Sequence, residues 1–527
     1  MIRGDDRVAP RREPGGAGRP GAAAARRRRL IVVSNRLPGP PATGPHLVGR
    51  ETTVGGLAAA ILGALQGRPD SLWVGWNGRA SAHARGASLA HHRRQGVDLA
   101  SFPLSATELE GYYHGFCNQT LWPVLHCFQG RVRTRLRDEA TYDAVQERFA
   151  DVLLPLLRPD DLLWVHDYHL IPLGRRLRER GWRGRTGFFL HTPFPPLEMW
   201  EVLPRPRAML EALFEYDVVG FHVPGFLDNY VYCARRLFGA EWDGRRLRQA
   251  GRSQVAAVYP VGIDPEAWRP RREGKADADA ADDDGDHATR VGDASLANIR
   301  LLRGLQDRRL ILGVDRLDYT KGIPQRLQAI ERFFRRRPEW RRRAVYVQVA
   351  SPSRAQVPEY AEQRRRIEAT LGRVNGELGE PDWTPIRYLY RAYERPLLAR
   401  LYREADVGLV TPLRDGMNLV AKEYVASQDP ADPGVLILSH TAGAAQQLRD
   451  ALLVNPFVPA DVAEGIATAL EMPLAERQQR HARLMRTVLE STAEAWADGF
   501  VADLEHDAPL RPLHVAEPGL GPITPSL

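Results

Sequence analysis

An alternation of two kinds of segment constrains this chain most. Short continuous apolar runs recur, each followed by polar residues and then by an amphipathic stretch. In the first half the runs are RLIVVSNR (29–36), SLWVGW (71–76), DLLWVHD (161–167), TGFFLH (186–191), YDVVGFHV (216–223) and VAAVYPVGI (255–263). In the second half they are RRLILGVD (308–315), AVYVQVA (344–350), PIRYLY (385–390), ADVGLVTP (405–412), GVLILSH (434–440) and ALLVNP (451–456). Such runs suit strands buried on both faces, as in parallel sheets. The segments between them, for example YDAVQERFADVLLPLL (142–157) and LIPLGRRLRERG (170–181), suit crossover helices. The pattern predicts an α/β chain built from doubly wound parallel sheets. At 527 residues it exceeds what one core holds, so two domains are expected.

The stretch EGKADADAADDDGDHATRVGD (273–293) breaks the rhythm. It is acidic and rich in small residues, and reads as a surface insertion or linker. It separates a first Rossmann-like unit, 29–265, from a second, 294–490. Residues 1–28 form a basic tail expected to be disordered, and 508–527 a loose Pro-rich one. A helix over 491–507 is placed to cross back to the first unit. Two such units enclose a cleft. Ligands of open α/β sheets sit beyond the carboxyl ends of the strands, so the residues there matter most.

The net charge is +8, and only three of the 73 basic residues are lysines: Lys275, Lys321 and Lys422. Where arginine prevails so widely, a retained lysine marks a position that needs a compact ammonium. Lys275 lies in the acidic insertion and carries no such meaning. Basic runs such as FFRRRPEWRRR (333–343) read as solvated helix faces, and no nucleic-acid-binding motif accompanies them. No nucleic-acid partner is expected. No run of apolar residues is long enough to span a bilayer, so no membrane partner is expected either. Residues before 29 lack the apolar core of a signal peptide, and three cysteines make no disulfide framework; both favour the cytoplasm.

The strand ends are polar: Arg36, His166, Asp167, His191, His222, Arg316, Asp318, Lys321, Arg354 and Asp415. VDRLDYTKG (314–322) sets two cations on a turn leading into a helix, where free amides and the helix dipole favour phosphate. DGMNL (415–419) offers a second helix start, with Gly416 admitting close backbone approach. There is no GxxxxGK[ST] loop and no GxGxxG after the first strand, which argues against a P-loop kinase and a dinucleotide dehydrogenase. Asp415 and Glu423 suit sugar or ribose hydroxyls, so a nucleotide-sugar transferase fits better than a hydrolase. Neither HH (91–92) nor HAR (83–85) has metal-ligand spacing. Taken alone, His166 and His191 also suit a packed core, Arg354 a surface charge, and Asp318 a helix cap.

The segments VVSNRLP, VGGLAAAILGAL, YYHGFCNQTLWPVLH, WVHDYHL, FFLHTPFPP, VDRLDYTKGIPQRL, SPSR and TPLRDGMNLVAKEY occur in that order between residues 29 and 505. Together they resemble the trehalose-6-phosphate synthases of glycosyltransferase family 20. The resemblance implies a GT-B fold, two Rossmann-like domains facing across a cleft. It implies glucose transfer from UDP-glucose to glucose 6-phosphate with retention by same-face attack, giving α,α-trehalose 6-phosphate and UDP. It implies no metal and no cofactor, a homo-oligomer, and a separate phosphatase acting downstream. On the donor side it implies Gly55, Gly56, Arg316, Lys321, Tyr393, Asp415, Gly416, Met417, Asn418, Leu419, Val420, Ala421, Lys422 and Glu423. Within that set, Arg316 and Lys321 hold the diphosphate, Asp415 the glucose hydroxyls, Glu423 the ribose, and Tyr393 lies near the uracil. Lys422 is left open between a ligand contact and an ion-pair partner. On the acceptor side it implies Arg36 and Arg354 at the 6-phosphate and Trp76, Tyr113, Trp122 and Asp167 around the sugar, with His191 beside the transferred glucose. Asp167, His191, Arg316, Lys321 and Asp415 form the expected catalytic set. Three features depart from the pattern, one of them the long Arg36-to-Gly55 loop, rich in Pro and Gly. Thr192 stands where an aliphatic residue is more usual, and GFHVPGFLDNY (220–230) is similar to glucosylglycerol-phosphate synthase, whose acceptor is glycerol 3-phosphate. A non-catalytic synthase-like subunit would lack the donor cations, which this sequence keeps.

Overall fold

The computed structural model describes residues 28–38, 56–65, 68, 70–84, 89–269, 308–354 and 357–506. Gly55, the acidic insertion and almost all of both tails lie outside them.

Among the described residues, sixteen strands form two sheets. The first holds β1 (Leu30–Arg36), β2 (Leu72–Ala80), β3 (Ala90–Arg94), β4 (Val97–Leu104), β5 (Leu162–His166), β6 (Arg185–Phe189), β7 (Val218–Phe221), β8 (Glu241–Trp242), β9 (Arg246–Gln249) and β10 (Arg252–Val258). Their spatial order is β3-β4-β2-β1-β5-β6-β7-β10-β9-β8. From β4 to β10 every pairing is parallel; β3, β9 and β8 are antiparallel additions at the two edges. The second sheet holds β11 (Arg309–Arg316), β12 (Ala344–Ser351), β13 (Ile386–Leu389), β14 (Val407–Val410), β15 (Val435–Ser439) and β16 (Leu452–Val454), ordered β13-β12-β11-β14-β15-β16 and parallel throughout. This is the doubly wound, two-sheet α/β architecture that the alternation predicts. All twelve apolar runs form strands. Except in the edge strands β13 and β16, their central residues are buried on both faces, which is why period-two alternation is missing.

The edge pairs β3–β4 and β8–β9 go unannounced in the sequence, because AHHRR and RLRQ are polar and half-exposed. The chain closes with two helices, Leu474–Glu490 and Ala493–His506, separated by a break at Ser491–Thr492. There the chain passes the outgoing crossing: Ile263 bridges Thr492, and Ala493 N donates to Ile263 O at 3.1 Å. The last helix then packs on the first sheet. The Phe500 ring stacks on Trp164 at 4.6 Å, Trp496 meets Phe189 edge-on at 5.1 Å, and Arg185 Nε donates to Leu504 O at 3.1 Å.

The segment between β4 and β5 includes a wide π-helical stretch, Leu109–Leu121, running into the turn Trp122–Leu125. π-Geometry of this length is rare. Gly111 and Gly115 let it lie against the helix Leu136–Leu153; a Cβ on either would meet Thr141 or Asp138 at 2.6 Å. This stretch carries Tyr113 and presents Trp122 to the cleft.

Candidate active site

The cleft is built where strands end. On the second domain, β11 ends at exposed Arg316 and continues into a turn, Tyr319–Lys321, before the helix Ile323–Arg336. Asp318 caps this turn by accepting from Thr320 N at 3.0 Å. Gly322 sits at φ 67°, with its Cβ position 2.8 Å from Thr411 O, so the turn needs glycine there. Beneath the turn, Arg326 is fully buried. It donates to Asp315 at 2.5 Å, Thr411 Oγ1 at 2.9 Å and Gln348 Oε1 at 2.9 Å. One guanidinium thus fixes the loops after β11 and β14 relative to each other.

The β14 loop brings Asp415 to Lys321. The Lys321 ammonium donates to Asp415 Oδ2, which also accepts from Asn418 Nδ2 at 3.1 Å, while Oδ1 accepts from Gly416 N at 3.0 Å. Burial pushes the Asp415 carboxyl upward, but the adjoining ammonium more than reverses this and holds it below the usual carboxylate range. Asn418, at φ 68°, stands at the N-cap of the helix Leu419–Ser427 without a side-chain capping bond. The amides of that first turn therefore face the cleft without a side-chain cap. Met417 and Ala421 are buried, and Leu419 and Val420 half-buried. Glu423 is buried within the same helix, where Tyr402 Oη donates to it at 3.4 Å, and burial raises its carboxyl to about 7. Tyr393 lies beyond the end of β13, with the Arg391 guanidinium 5.3 Å from its ring.

On the first domain, β5 ends at His166, and Asp167 follows at φ 74°. That left-handed backbone turns the carboxylate so that Oδ1 accepts from His191 N at 3.2 Å. Burial raises Asp167 to about 6. His191 follows β6, and its Nε2 lies 3.0 Å from His166 Nδ1. His222 Nε2 approaches His191 O at 3.2 Å. Burial pushes His166 and His222 down to about 3 and lowers His191 as well, so all three rings are neutral near pH 7. Gly56, opening the helix Gly56–Leu65, follows β1 in the chain.

The acceptor-side residues form an aromatic wall. Trp76 and Tyr113 lie 5.8 Å apart, Tyr113 stacks on His169 at 5.9 Å, and the Arg36 guanidinium rests 5.8 Å from Trp76. Two second-domain cations converge on Trp122: Arg354 at 4.1 Å and Arg316 at 5.9 Å from its ring. Arg354 is buried and occupied. Its Nη1 donates to Asp318 at 3.1 Å and Tyr360 Oη at 2.5 Å, and its Nη2 to Tyr168 Oη at 3.3 Å. Burial opposes the charge on Asp318, but Arg354 and Arg316 prevail and pull its carboxyl down to about 2. The cap reading of Asp318 therefore holds, and the same carboxylate also anchors Arg354.

Lys422 lies elsewhere. It is fully buried on the far side of its helix, donating to Val261 O at 2.9 Å and Ser491 Oγ at 3.1 Å. Neutral groups of the two chain crossings, and no carboxylate among the described residues, hold it. His126, Tyr168 and Tyr360 escape sequence reasoning. His126 lies under Trp122 at 4.0 Å and the two tyrosines grip Arg354. Tyr168 could have been found in WVHDYHL, whereas Tyr360 has no local signal.

The cleft thus offers cations, an open helix N-terminus, a carboxylate locked to a lysine, and an aromatic wall with its own arginines. This arrangement stabilises an anion leaving from a polar ring and seats a second polar ring beside it. Among the described residues, no group of three or more His, Cys, Asp or Glu side chains is arranged to hold a metal ion. Nor is any helix there long and apolar enough to cross a membrane.

A family model described as glycosyltransferase family 20 matches residues 28–280 and 287–506. A trehalose-6-phosphate synthase of Sinorhizobium fredii is 42% identical over 474 residues, covering 90% of this chain and 97% of the relative. A solved α,α-trehalose-phosphate synthase (UDP-forming) from Burkholderia xenovorans, in complex with glucose-6-phosphate, is 40% identical with a TM-score of 0.80, covering 90% of this chain and 99% of that one. A solved E. coli structure bound with UDP-2-fluoro glucose is 38% identical with a TM-score of 0.80, covering 91% and 100%.

Proposed function

The chain belongs to glycosyltransferase family 20, and on that premise we propose that it transfers glucose from UDP-glucose to glucose 6-phosphate, giving α,α-trehalose 6-phosphate and UDP. The observation that carries the reading is the Lys321–Asp415 pair at the open N-terminus of the helix Leu419–Ser427, with Arg316 close by over Trp122. A diphosphate leaving group needs cations and free amides at one point, and a glucosyl ring needs an acceptor carboxylate beside them.

In this reading Arg316, Lys321 and the amides from Gly416 to Leu419 take the diphosphate. Asp415 accepts from glucose hydroxyls, Glu423 meets the ribose and Tyr393 flanks the base. Arg36 and Arg354 supply charge for the acceptor phosphate, and Trp76, Tyr113, Trp122 and Asp167 frame its sugar. His191 faces the glucosyl ring from the first domain. The bond from the anomeric carbon to the β-phosphate oxygen breaks, and its electron pair stays on UDP. The acceptor's 1-hydroxyl attacks the same face and gives its proton to the departing phosphate oxygen. The product keeps its phosphate, so we assign its removal to a separate phosphatase.

The test is nucleotide release from UDP-glucose with glucose 6-phosphate and, separately, with glycerol 3-phosphate, the product identified by mass and anomeric proton signals. Release with glucose 6-phosphate and a phosphorylated 1,1-linked disaccharide is expected. Release with glycerol 3-phosphate alone would move the chain to the sister activity. Silence with both would sink the transferase reading.

A further inference from the structure

Lys422 is a buried ammonium that the proposed reaction does not use. It lies on the helix Leu419–Ser427, whose first turn and Glu423 belong to the donor side of the cleft. Its Nζ reaches two places where the chain passes between domains: Val261 O at 2.9 Å on the outgoing crossing and Ser491 Oγ at 3.1 Å on the returning one. Among the described residues it has no carboxylate ion pair. The crossings themselves lie flush. A Cβ at Gly262 would fall 1.8 Å from Ser491 O, Ile263 bridges Thr492, and Ala493 N donates to Ile263 O. Ser491 Oγ in turn donates to Thr487 O at 2.7 Å, which fixes its lone pairs toward the ammonium.

An uncompensated buried charge is a poor device for stability, since an apolar residue of similar volume commonly does as well or better. Burial lowers the Lys422 ammonium to about 7, which expresses the same cost. A guanidinium fork would not fit between one carbonyl and one hydroxyl in a site with no exposed surface. The retention of lysine, in a chain that uses arginine at 70 of its 73 basic positions by subtraction of three lysines, fits that geometry.

We propose that Lys422 is a positioning residue that ties the donor-site helix to both interdomain crossings, so that nucleotide binding on one face of the helix is transmitted to the crossings packed on its other face. This rests on the donor assignment above. Three observations converge on it: the shared helix, the bonds to both crossings, and the close packing of the crossings on each other.

The test compares wild type, Lys422→Met and Ser491→Ala. UDP affinity is read by calorimetry, and hydrogen exchange is read at the Ala493 amide with and without UDP. In wild type, UDP should slow that exchange by about tenfold, the scale of ordinary coupling between sites. In Lys422→Met, UDP should still bind and the melting temperature should be no lower than wild type, yet the slowing should vanish. Ser491→Ala, which keeps the Val261 bond, should retain part of it and serves should Lys422→Met fail to fold. Equal slowing in wild type and both variants would overturn the proposal. So would a large fall in melting temperature with coupling intact, which would make Lys422 a stability element. Absence of UDP binding to wild type would instead overturn the donor assignment.

Discussion

Gly416 and His191 meet backbone to backbone across the cleft. A Cβ on Gly416 would lie 2.0 Å from the His191 carbonyl oxygen, and the Gly416 carbonyl itself leaves no room for a Cβ at Gly443, 1.9 Å away. The donor loop is therefore sandwiched between the first domain and its own neighbour. Gly416→Ala should push the loop away from His191 and Lys321. Turnover should fall by about a hundredfold, as displacements near 1 Å do, while the melting temperature changes little. Steady-state UDP release beside calorimetry checks both; unaltered turnover would mean that the loop has slack.

Lys321→Ala removes the cation and strands Asp415. Turnover should fall at least roughly a hundredfold, the scale for one lost oxyanion contact. The Asp415 carboxyl, no longer held down by its ammonium, should titrate higher, readable by carbon NMR of labelled aspartate. Arg316→Ala should match the loss of turnover without moving Asp415 as far.

The His166 ring sits behind His191 at 3.0 Å, and His166 Nε2 is buried without a hydrogen-bond partner. A buried N–H without a partner is costly, so His166 carries its proton on Nδ1 and donates it to His191 Nε2. His191 is then held with its proton on Nδ1. His166→Asn keeps a donor near that position and should retain most activity; His166→Leu should lose about tenfold or more in turnover with acceptor KM little altered. Nitrogen shifts of labelled histidine read the tautomer directly, and a proton on His191 Nε2 would contradict the assignment.

Glu423 has a folded carboxyl raised to about 7 from an unfolded 4.5 by burial. Over that window the folded state binds the extra proton, so this group stabilises the fold fully below pH 4.5 and the contribution is lost as pH rises through 7. The span corresponds to roughly 3 kcal/mol. Glu423→Gln should flatten the decline in melting temperature between pH 4.5 and 7, and an unchanged slope would show that the carboxyl is already ionised.

Twelve strands and the placing of Lys321 and Asp415 beyond strand ends were legible because each rests on a local pattern: an apolar run, a glycine turn, a polar strand end. Three things were not. The π-helix around Tyr113 depends on the helix packed against Gly111 and Gly115, and nothing in YYHGFCNQTL announces it. The role of Lys422 depends on segments 161 and 69 residues away, so VAKEY alone left it open. The grip of Arg354 required Tyr168 from the other domain, a contact across 186 residues. Sequence shows which groups stand at strand ends; long-range packing decides which way a buried cation points.

The closing helix has a consequence for biogenesis. Trp496, Phe500 and Leu504 cover the face of the first sheet at Trp164, Phe189 and Gly187, and Arg68 pairs with Asp498 at 2.7 Å. A nascent chain that has emerged only as far as β10 lacks this cover. Its first sheet leaves the ribosome with an apolar face open to water, and that face closes only when the helix Ala493–His506 has been translated. The first domain therefore completes its core only after the second has been synthesised.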